Sequence, residues 1–400
     1  MADHTPSPDV VRVESQEQLE AICRNCRVNG QFAFDTEFVM EDRFEAELCL
    51  IQIADGQGVA IIDPFLDLDL DPLWALLHDE QVVTVVHAGQ EDLGIFVQRT
   101  GRVPRRTYDI QIAAGFAGYD YPLSLQKLAR MVLRVGLHKS KTLTDWRRRP
   151  LTTAQIHYAA EDVSYLLAIR AKLDKRIAQT DRMEWVQAEF DRFEALSLYR
   201  RPEQEKLTRL KGSGALAGRQ LVALRELLAW REDVAQQVDR PLRAVLKDHL
   251  LVEIAKHELD SPDEVRALRG LNLKDKHVRT LCGAVQRAVA TPRDQWPVPS
   301  PRHVESRAET ALVPLITGVI HSICIEKAIA YGLVASKKSI CEMVCYCAEP
   351  GSKQREEVEL LSGWRYEAVG ALLEEVLTGH RRLRVDLSDG NPIISVTDPE

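Results

Sequence analysis

FAFDTEF (32–38) runs from three apolar residues into three polar ones and reads as a buried strand that carries two carboxylates, and the segment before it, roughly 15–28, reads as a short helix. ELCLIQIAD (47–55) and VAIIDPF (59–65) read as two more strands, with DGQG between them as a hairpin turn. PLWALLHD has helical spacing. VVTVVHAG (82–89) is a β-branched run ending in small residues, as a buried strand does when it feeds a helix, here EDLGIFVQRTG. TYDIQIAAGFAG (107–118) begins as a strand end or a turn and becomes helical, while LSLQKLARMVL (123–133) and IHYAAEDVSYLLAIRAKL (156–173) are helical by spacing. Three strands followed by alternating helix and strand predict a mixed α/β sheet.

From about 185 onward strand signals nearly vanish until the last few residues. Amphipathic patterns such as GRQLVALRELLAWREDVAQQVD (218–239) take over, punctuated by Pro241 and by SPDE at 261–264. TPRDQWPVPSPR (291–302) reads as an extended linker. Boundaries near 200 and near 295 therefore separate an α/β domain from two helical blocks of similar length.

With 400 residues and 45% apolar content, the chain is long enough for two or three domains, each with its own core. MADHTPSPDV has neither a basic nor an apolar run, so no secretory signal is visible and a cytosolic location is expected. ALVPLITGVIHSICIEKAIAYGLVA (311–335) is interrupted by Pro314, His321, Glu326 and Lys327, which predicts a packed helix rather than a membrane span. Eight cysteines without a signal read as reduced thiols, most of them in cores. A net charge of −8 carries no global signature of nucleic-acid binding, so any such binding must come from local patches.

The chemistry begins in the first strand. Successive side chains of a strand point to opposite faces, so Asp35 and Glu37 share one face while Phe34, Thr36 and Phe38 share the other. Two neighbouring carboxylates repel, and they need water or something positive to face; a solvated edge strand is the alternative reading. Asp92 falls at the start of a helix just beyond a buried strand, where it either projects into a crevice or simply complements the helix dipole. Tyr158 and Asp162, four residues apart on one helix, share a face, and Glu161 beside them is expected at the surface. Four acidic groups on three elements are what a two-metal phosphodiester site requires. Hard divalent ions take oxygen ligands, and a pair roughly 3.5–4 Å apart clamps the attacking and leaving oxygens of an in-line displacement. Tyr158 would orient or help deprotonate the water.

DTEF, HAGQEDL and YAAED, in this order, resemble the three motifs of the DEDD exonucleases in their tyrosine form, and with CLIQIA, IIDPF, YDIQIAAG and DWRRRPLT the chain resembles ribonuclease D over nearly its whole length. LVALRELLAWRE and RPLRAVLKDHLLVEIA resemble the helical HRDC domain, and LVASKKSICEMV with LLSGWRYEAVGALL resembles a second one. The resemblance implies a ribonuclease H-like exonuclease domain at 1–200, an HRDC domain at 205–292 and a second HRDC-like domain at 303–390. It implies Asp35, Glu37, Asp92 and Asp162 as ligands of two divalent ions, Mg or Mn, and Tyr158 as the residue that positions water. It implies 3′-to-5′ hydrolysis of RNA to nucleoside 5′-monophosphates, with transfer-RNA precursors or other small structured RNAs as substrates, no small-molecule cofactor, and a monomer. Ile110 departs from the usual Thr, a change expected to be tolerated.

Lys139, Lys141 and Arg147 to Arg149 precede the YAAED helix and could hold phosphates, with Trp146 as packing; a solvated basic surface is the alternative. Phe38 is a candidate to stack a terminal base, and His87 is expected to be a satisfied strand-end residue. Trp230, Arg231 and Trp364 are expected in cores or caps, and Lys211, Arg219, Arg240, Arg243 and Lys247 on a solvated helix face, with a nucleic-acid-facing patch as the alternative. Cys341, Cys345 and Cys347 lack a fourth nearby ligand and make a poor zinc site. Two rival functions keep the same residues: a DNA-directed exonuclease, and a non-catalytic nucleic-acid-binding protein.

Overall fold

The structure, a computed structural model, describes residues 9–137, 144–200, 202–297, 306–349, 351, 354–386 and 393–397. A six-stranded sheet forms from β1 (Val10–Val13), β2 (Gln31–Val39), β3 (Glu47–Ala54), β4 (Val59–Ile62), β5 (Val83–Val86) and β6 (Thr107–Asp109), in the spatial order β1-β4-β3-β2-β5-β6. β1 runs parallel to β4, β4 antiparallel to β3, and β5 parallel to both β2 and β6, so the sheet is mixed as predicted. The central strands are covered on both faces: Phe32, Ala33 and Phe34 of β2 and Leu48 to Ile51 of β3 are all buried. β2 is partly exposed at Gln31, at Asp35 and from Glu37 onward, with Thr36 buried between the two acids. β1 was not foreseen, since VVRV is four residues long at a sheet edge and carries an arginine in place of apolar continuity.

Helices α1 (Gln16–Asn29), α2 (Asp71–Leu77), α3 (Gln90–Thr100), α4 (Ile110–Phe116), α5 (Leu125–Leu133), α6 (Thr153–Ser164), α7 (Leu166–Ile177) and α8 (Met183–Asp191) accompany the sheet. The run predicted as one helix from 156 to 173 is two, broken at Tyr165. The Ser164 hydroxyl donates back to the Ala160 carbonyl, in competition with the backbone ladder at that turn.

Contacts divide the chain into two units: one comprises 1–36, 50–195 and 305–400, the other 37–49 and 196–304. The second unit holds α9 (Glu203–Arg209), α10 (Arg219–Val238), α11 (Leu242–Val245), α12 (Asp248–His257), α13 (Pro262–Arg266) and α14 (Asp275–Ala290). Its core is built from Leu224, Leu227, Leu251, Ile254, Leu281 and Val285 among others. Trp230 is buried there and donates to Thr280 Oγ1 at 3.0 Å, as Arg231 does to the Leu246 carbonyl at 2.9 Å and to Asp248 at 2.6 Å. Arg219, by contrast, pairs on the surface with Glu258.

The last part of the first unit contains α15 (Arg307–Lys327), α16 (Tyr331–Val334), α17 (Lys337–Ala348), α18 (Gly363–Arg365), a π-helical stretch Tyr366–Gly370, α19 (Ala371–Leu377) and a hairpin of β7 (Arg382–Asp386) with β8 (Ile393–Thr397). By length and composition α15 is apolar enough to cross a membrane. Its buried residues Val313, Ile316, Val319, Ile320 and Ile323 nevertheless recur with the spacing of a single packed face, leaving Leu315 and Ile325 exposed. This helical part joins the α/β part through Glu189 of α8, which accepts from Trp364 Nε1 at 2.9 Å, Arg365 at 2.7 Å and Arg192 at 2.8 Å. Trp364 also packs edge-on against Phe116 and stacks on Trp185. All eight cysteines are free thiols, and Cys341, Cys345 and Cys347 are partly exposed on α17.

Candidate active site

β2 delivers Asp35 and Glu37 with one residue between them, so strand geometry alone holds their side chains on one face. α6 delivers Asp162. Asp35, Glu37 and Asp162 each offer a carboxylate oxygen, and these atoms lie within 4.8 Å of one another. Among the described residues this is the one group of three or more such side chains close enough to share an ion, and no cysteine belongs to it.

α6 starts on a capping box in which Thr152 and Gln155 each bond the other's backbone, fixing the helix that carries Tyr158 and Asp162. Tyr158 hydrogen-bonds the Asp162 carboxylate one turn on, and the buried Trp146 packs with its ring centroid 6.1 Å from that of Tyr158. Glu161, expected at the surface, is instead only 7% exposed, and its carboxylate lies 3.5 Å from His157 Nε2 on the same helix. The turn of α6 that aims Asp162 outward from the helix aims its neighbour into the protein, which spacing on a single helix did not reveal.

Asp92 sits in the first turn of α3 and is 9% exposed. Its Oδ1 accepts the Thr36 backbone N–H at 3.0 Å and the Thr36 hydroxyl at 2.5 Å. The dipole reading of Asp92 is therefore incomplete, because a specific residue of β2 grips it. The turn before α3 is held just as closely. Asp109, at the end of β6, accepts from Ala88 N and Gly89 N, both at 3.1 Å, and from Gln111 N at 2.8 Å, which also caps α4. Ala88 adopts a positive φ of 54°, and a Cβ on Gly89 would fall 2.5 Å from the Val86 side chain, so glycine is required there. His87 Nε2 lies 2.9 Å from the Leu123 carbonyl, as expected of a satisfied strand-end residue.

The electrostatics follow from burying this many acids together. Burial pushes Asp92 up to about 6 against the pull of the two Thr36 hydrogen bonds. Burial likewise raises Asp162 to about 7, with Glu161 and Asp92 adding to the rise and Tyr158 opposing it. Asp109 is also raised, by burial first, although His87 and three backbone N–H groups draw it down. An all-oxygen set of clustered carboxylates, one of which, Asp162, is raised by burial, fits hard divalent cations.

Of the basic candidates, Arg147 and Arg148 both pair with Asp145, and Arg149 grips Asp63 through two bonds at 2.5 and 2.8 Å while its guanidinium lies over the Phe65 ring. Lys139 and Lys141 lie outside the described residues. Phe38 is half-buried, and alternation along β2 puts it on the Thr36 side of the strand. Ile110 is fully buried at the start of α4.

A 3′-5′ exonuclease family model matches residues 10–178, and the HRDC domain model matches 220–285. Ribonuclease D of Gluconacetobacter diazotrophicus is 32% identical over 95% of each chain. The chain belongs to the ribonuclease D family. Ribonuclease D of Escherichia coli is 30% identical over 91% of this chain and 97% of its own. The crystal structure of Escherichia coli ribonuclease D, described as an exoribonuclease involved in structured RNA processing, superimposes with a TM-score of 0.79 at 29% identity, covering 93% of this chain and 99% of that one. As a ribonuclease D, the chain is a hydrolase, a 3′–5′ exoribonuclease with an HRDC domain, and RNA is its substrate.

Two residues that hold Asp92 and the turn before α3 escape a reading of the sequence. Alternation puts Thr36 on the face of β2 opposite Asp35 and Glu37, and nothing in DTE itself points to its bonds with Asp92. Asp109 falls in the strand end or turn read at 107–109, and its place just before a helix is the ordinary signature of the N-cap that it forms.

Proposed function

We propose that the chain removes nucleotides one at a time from RNA 3′ ends by two-metal hydrolysis, with Asp35, Glu37, Asp92 and Asp162 as the ligands of two Mg or Mn ions. The observation that carries this reading is the convergence of Asp35, Glu37 and Asp162 within 4.8 Å, with Tyr158 bonded to the third of them. Bound dications supply a counter-charge for the carboxylates, acidify water and offset charge on the transferring phosphoryl group. Tyr158, anchored through Asp162 and backed by Trp146, is held in one orientation from which its oxygen can fix a water lone pair toward phosphorus. Attack of that water on the terminal phosphorus breaks the bond to the 3′ oxygen of the penultimate nucleotide and releases a nucleoside 5′-monophosphate. Asp92, gripped by Thr36, lies outside the three-carboxylate group but is near enough to raise Asp162 by its charge, which supports its assignment as the fourth ligand.

The domain reading that accompanies this function is an exonuclease domain at 1–200, an HRDC domain at 205–292 and a second HRDC-like helical domain at 303–390, with the helical domains guiding structured RNA such as transfer-RNA precursors. The helical elements from α9 to α14 and from α15 to α19 support it. A time course on a 3′-extended transfer-RNA precursor tests the reading. Mononucleotide release that is abolished by chelator and by Asp35→Asn is the expected result; unchanged release by Asp35→Asn with Mg or Mn present overturns it. A matched DNA strand in the same assay separates RNA from DNA preference.

A further inference from the structure

We infer that Thr36 is a positioning residue that sets Asp92 for metal binding, an inference that rests on the assignment of Asp92 to the metal site proposed above. Both polar groups of Thr36 donate to one oxygen of Asp92: the backbone N–H at 3.0 Å and the hydroxyl at 2.5 Å. Two donors on Oδ1 restrain the carboxylate and commit that oxygen, so a cation would be met through Oδ2. Thr36 is 6% exposed and Asp92 9%, so water does not substitute for either bond readily.

The position of Thr36 in the chain gives the contact its meaning. The residues on either side are Asp35 and Glu37, whose side chains leave the opposite face of β2. One tripeptide therefore sets three acids: two through strand alternation and the third, 56 residues on, through the side chain between them. A β-branched residue is stiff about χ1, so the hydroxyl of Thr is oriented before the bond forms. Valine has the same shape without the donor, and serine has the donor without the stiffness. Neighbours that orient a metal ligand typically contribute 10–100-fold to metal affinity or activity.

The test is Mn2+ titration of the full-length chain, followed by electron paramagnetic resonance of the free ion, for wild type, Thr36→Val, Thr36→Ser and Asp92→Asn. Thermal midpoints in chelator and exonuclease rates across a metal series are recorded beside it. The expected result is Mn2+ affinity and the metal midpoint for activity weakened roughly 10-fold or more in Thr36→Val, with most of both restored in Thr36→Ser. Thr36→Val combined with Asp92→Asn is expected to be no worse than Asp92→Asn alone, because the two act through one carboxylate. If Thr36→Val lowers only the chelator midpoint while Mn2+ binding stays at the wild-type value, the role is merely structural and the inference fails. Should Thr36→Val not fold, Thr36→Ala, which adds no bulk, takes its place with the same expected shift. Asp92→Asn with wild-type Mn2+ binding and activity would instead defeat the assignment of Asp92, a result distinguishable from failure of Thr36 alone.

Discussion

Replacing Asp162 by Asn is expected to make the metal-free protein more stable at neutral and higher pH, although the same change removes a proposed catalytic ligand. Burial, with Glu161 and Asp92 nearby, raises this carboxyl from 3.8 to about 7. An acid whose folded pKa is raised contributes stability below its unfolded pKa and loses it as pH rises through the folded value. The cost of the ionised group therefore grows between about pH 4 and pH 7 and is constant above that. Each tenfold change in proton affinity corresponds to about 1.4 kcal/mol, which sets a ceiling of about 4 kcal/mol. Asp162 is only partly buried, so a realistic gain on neutralising it is about 1–3 kcal/mol. Asn keeps an oxygen that can accept from Tyr158, so the helix loses little. For a unit of this size the gain corresponds to a rise in melting temperature of about 3–8 °C. Differential scanning calorimetry in chelator at pH 8 and again at pH 4 is the assay. The midpoint of Asp162→Asn should exceed that of wild type at pH 8 and approach it at pH 4. Saturating Mg2+ should reverse the order at pH 8, since ions bound only by the folded wild type stabilise it. A midpoint for Asp162→Asn at or below wild type in chelator at pH 8 would refute the reasoning.

Tyr158→Phe removes the hydroxyl bonded to Asp162 and should lower the single-turnover cleavage rate by about 100-fold or more with RNA affinity little changed; a loss under threefold counts against its role with water. Glu189→Gln should cost about 2–4 kcal/mol in a urea titration at pH 7, because Arg365 and Arg192 keep their charge and lose their partner. Burial alone would raise the Glu189 carboxyl, but Arg365 first, then Arg192 and Trp364, hold it below the ordinary glutamate range. Its contribution is thus present above the ordinary glutamate range and lost as pH falls through the lower folded value, so the two proteins should converge only at a pH below the ordinary glutamate range. Gly89→Ala should reduce exonuclease activity and destabilise the protein by about 1–3 kcal/mol by thermal melting, since its Cβ would meet Val86 at the turn leading into α3.

What could be read from the residues was whatever a period or a single element determines. The alternation of FAFDTEF placed Asp35 and Glu37 together, and four-residue spacing placed Tyr158 beside Asp162; the structure brings Asp35, Glu37 and Asp162 together. Features that depend on a distant partner were not legible. Thr36 acquires its importance from a carboxylate 56 residues away, and Asp109 from the N–H groups of a turn about 20 residues before it. Glu161 and Asp162 look equivalent in sequence, and only packing on α6 decides that Glu161 is the more buried of the two. β1 escaped because an edge strand of four residues has too few positions to show a pattern.

The bonds from Glu189 to Trp364 and Arg365 span 175 and 176 residues, with the whole of α9 to α14 synthesised in between. During translation the α/β part must therefore wait, with the surfaces around Phe116 and Trp185 uncovered, until the chain beyond residue 365 has left the ribosome. A message truncated before that point would yield a nascent nuclease with an open flank, a natural substrate for chaperones and proteases rather than a smaller working enzyme.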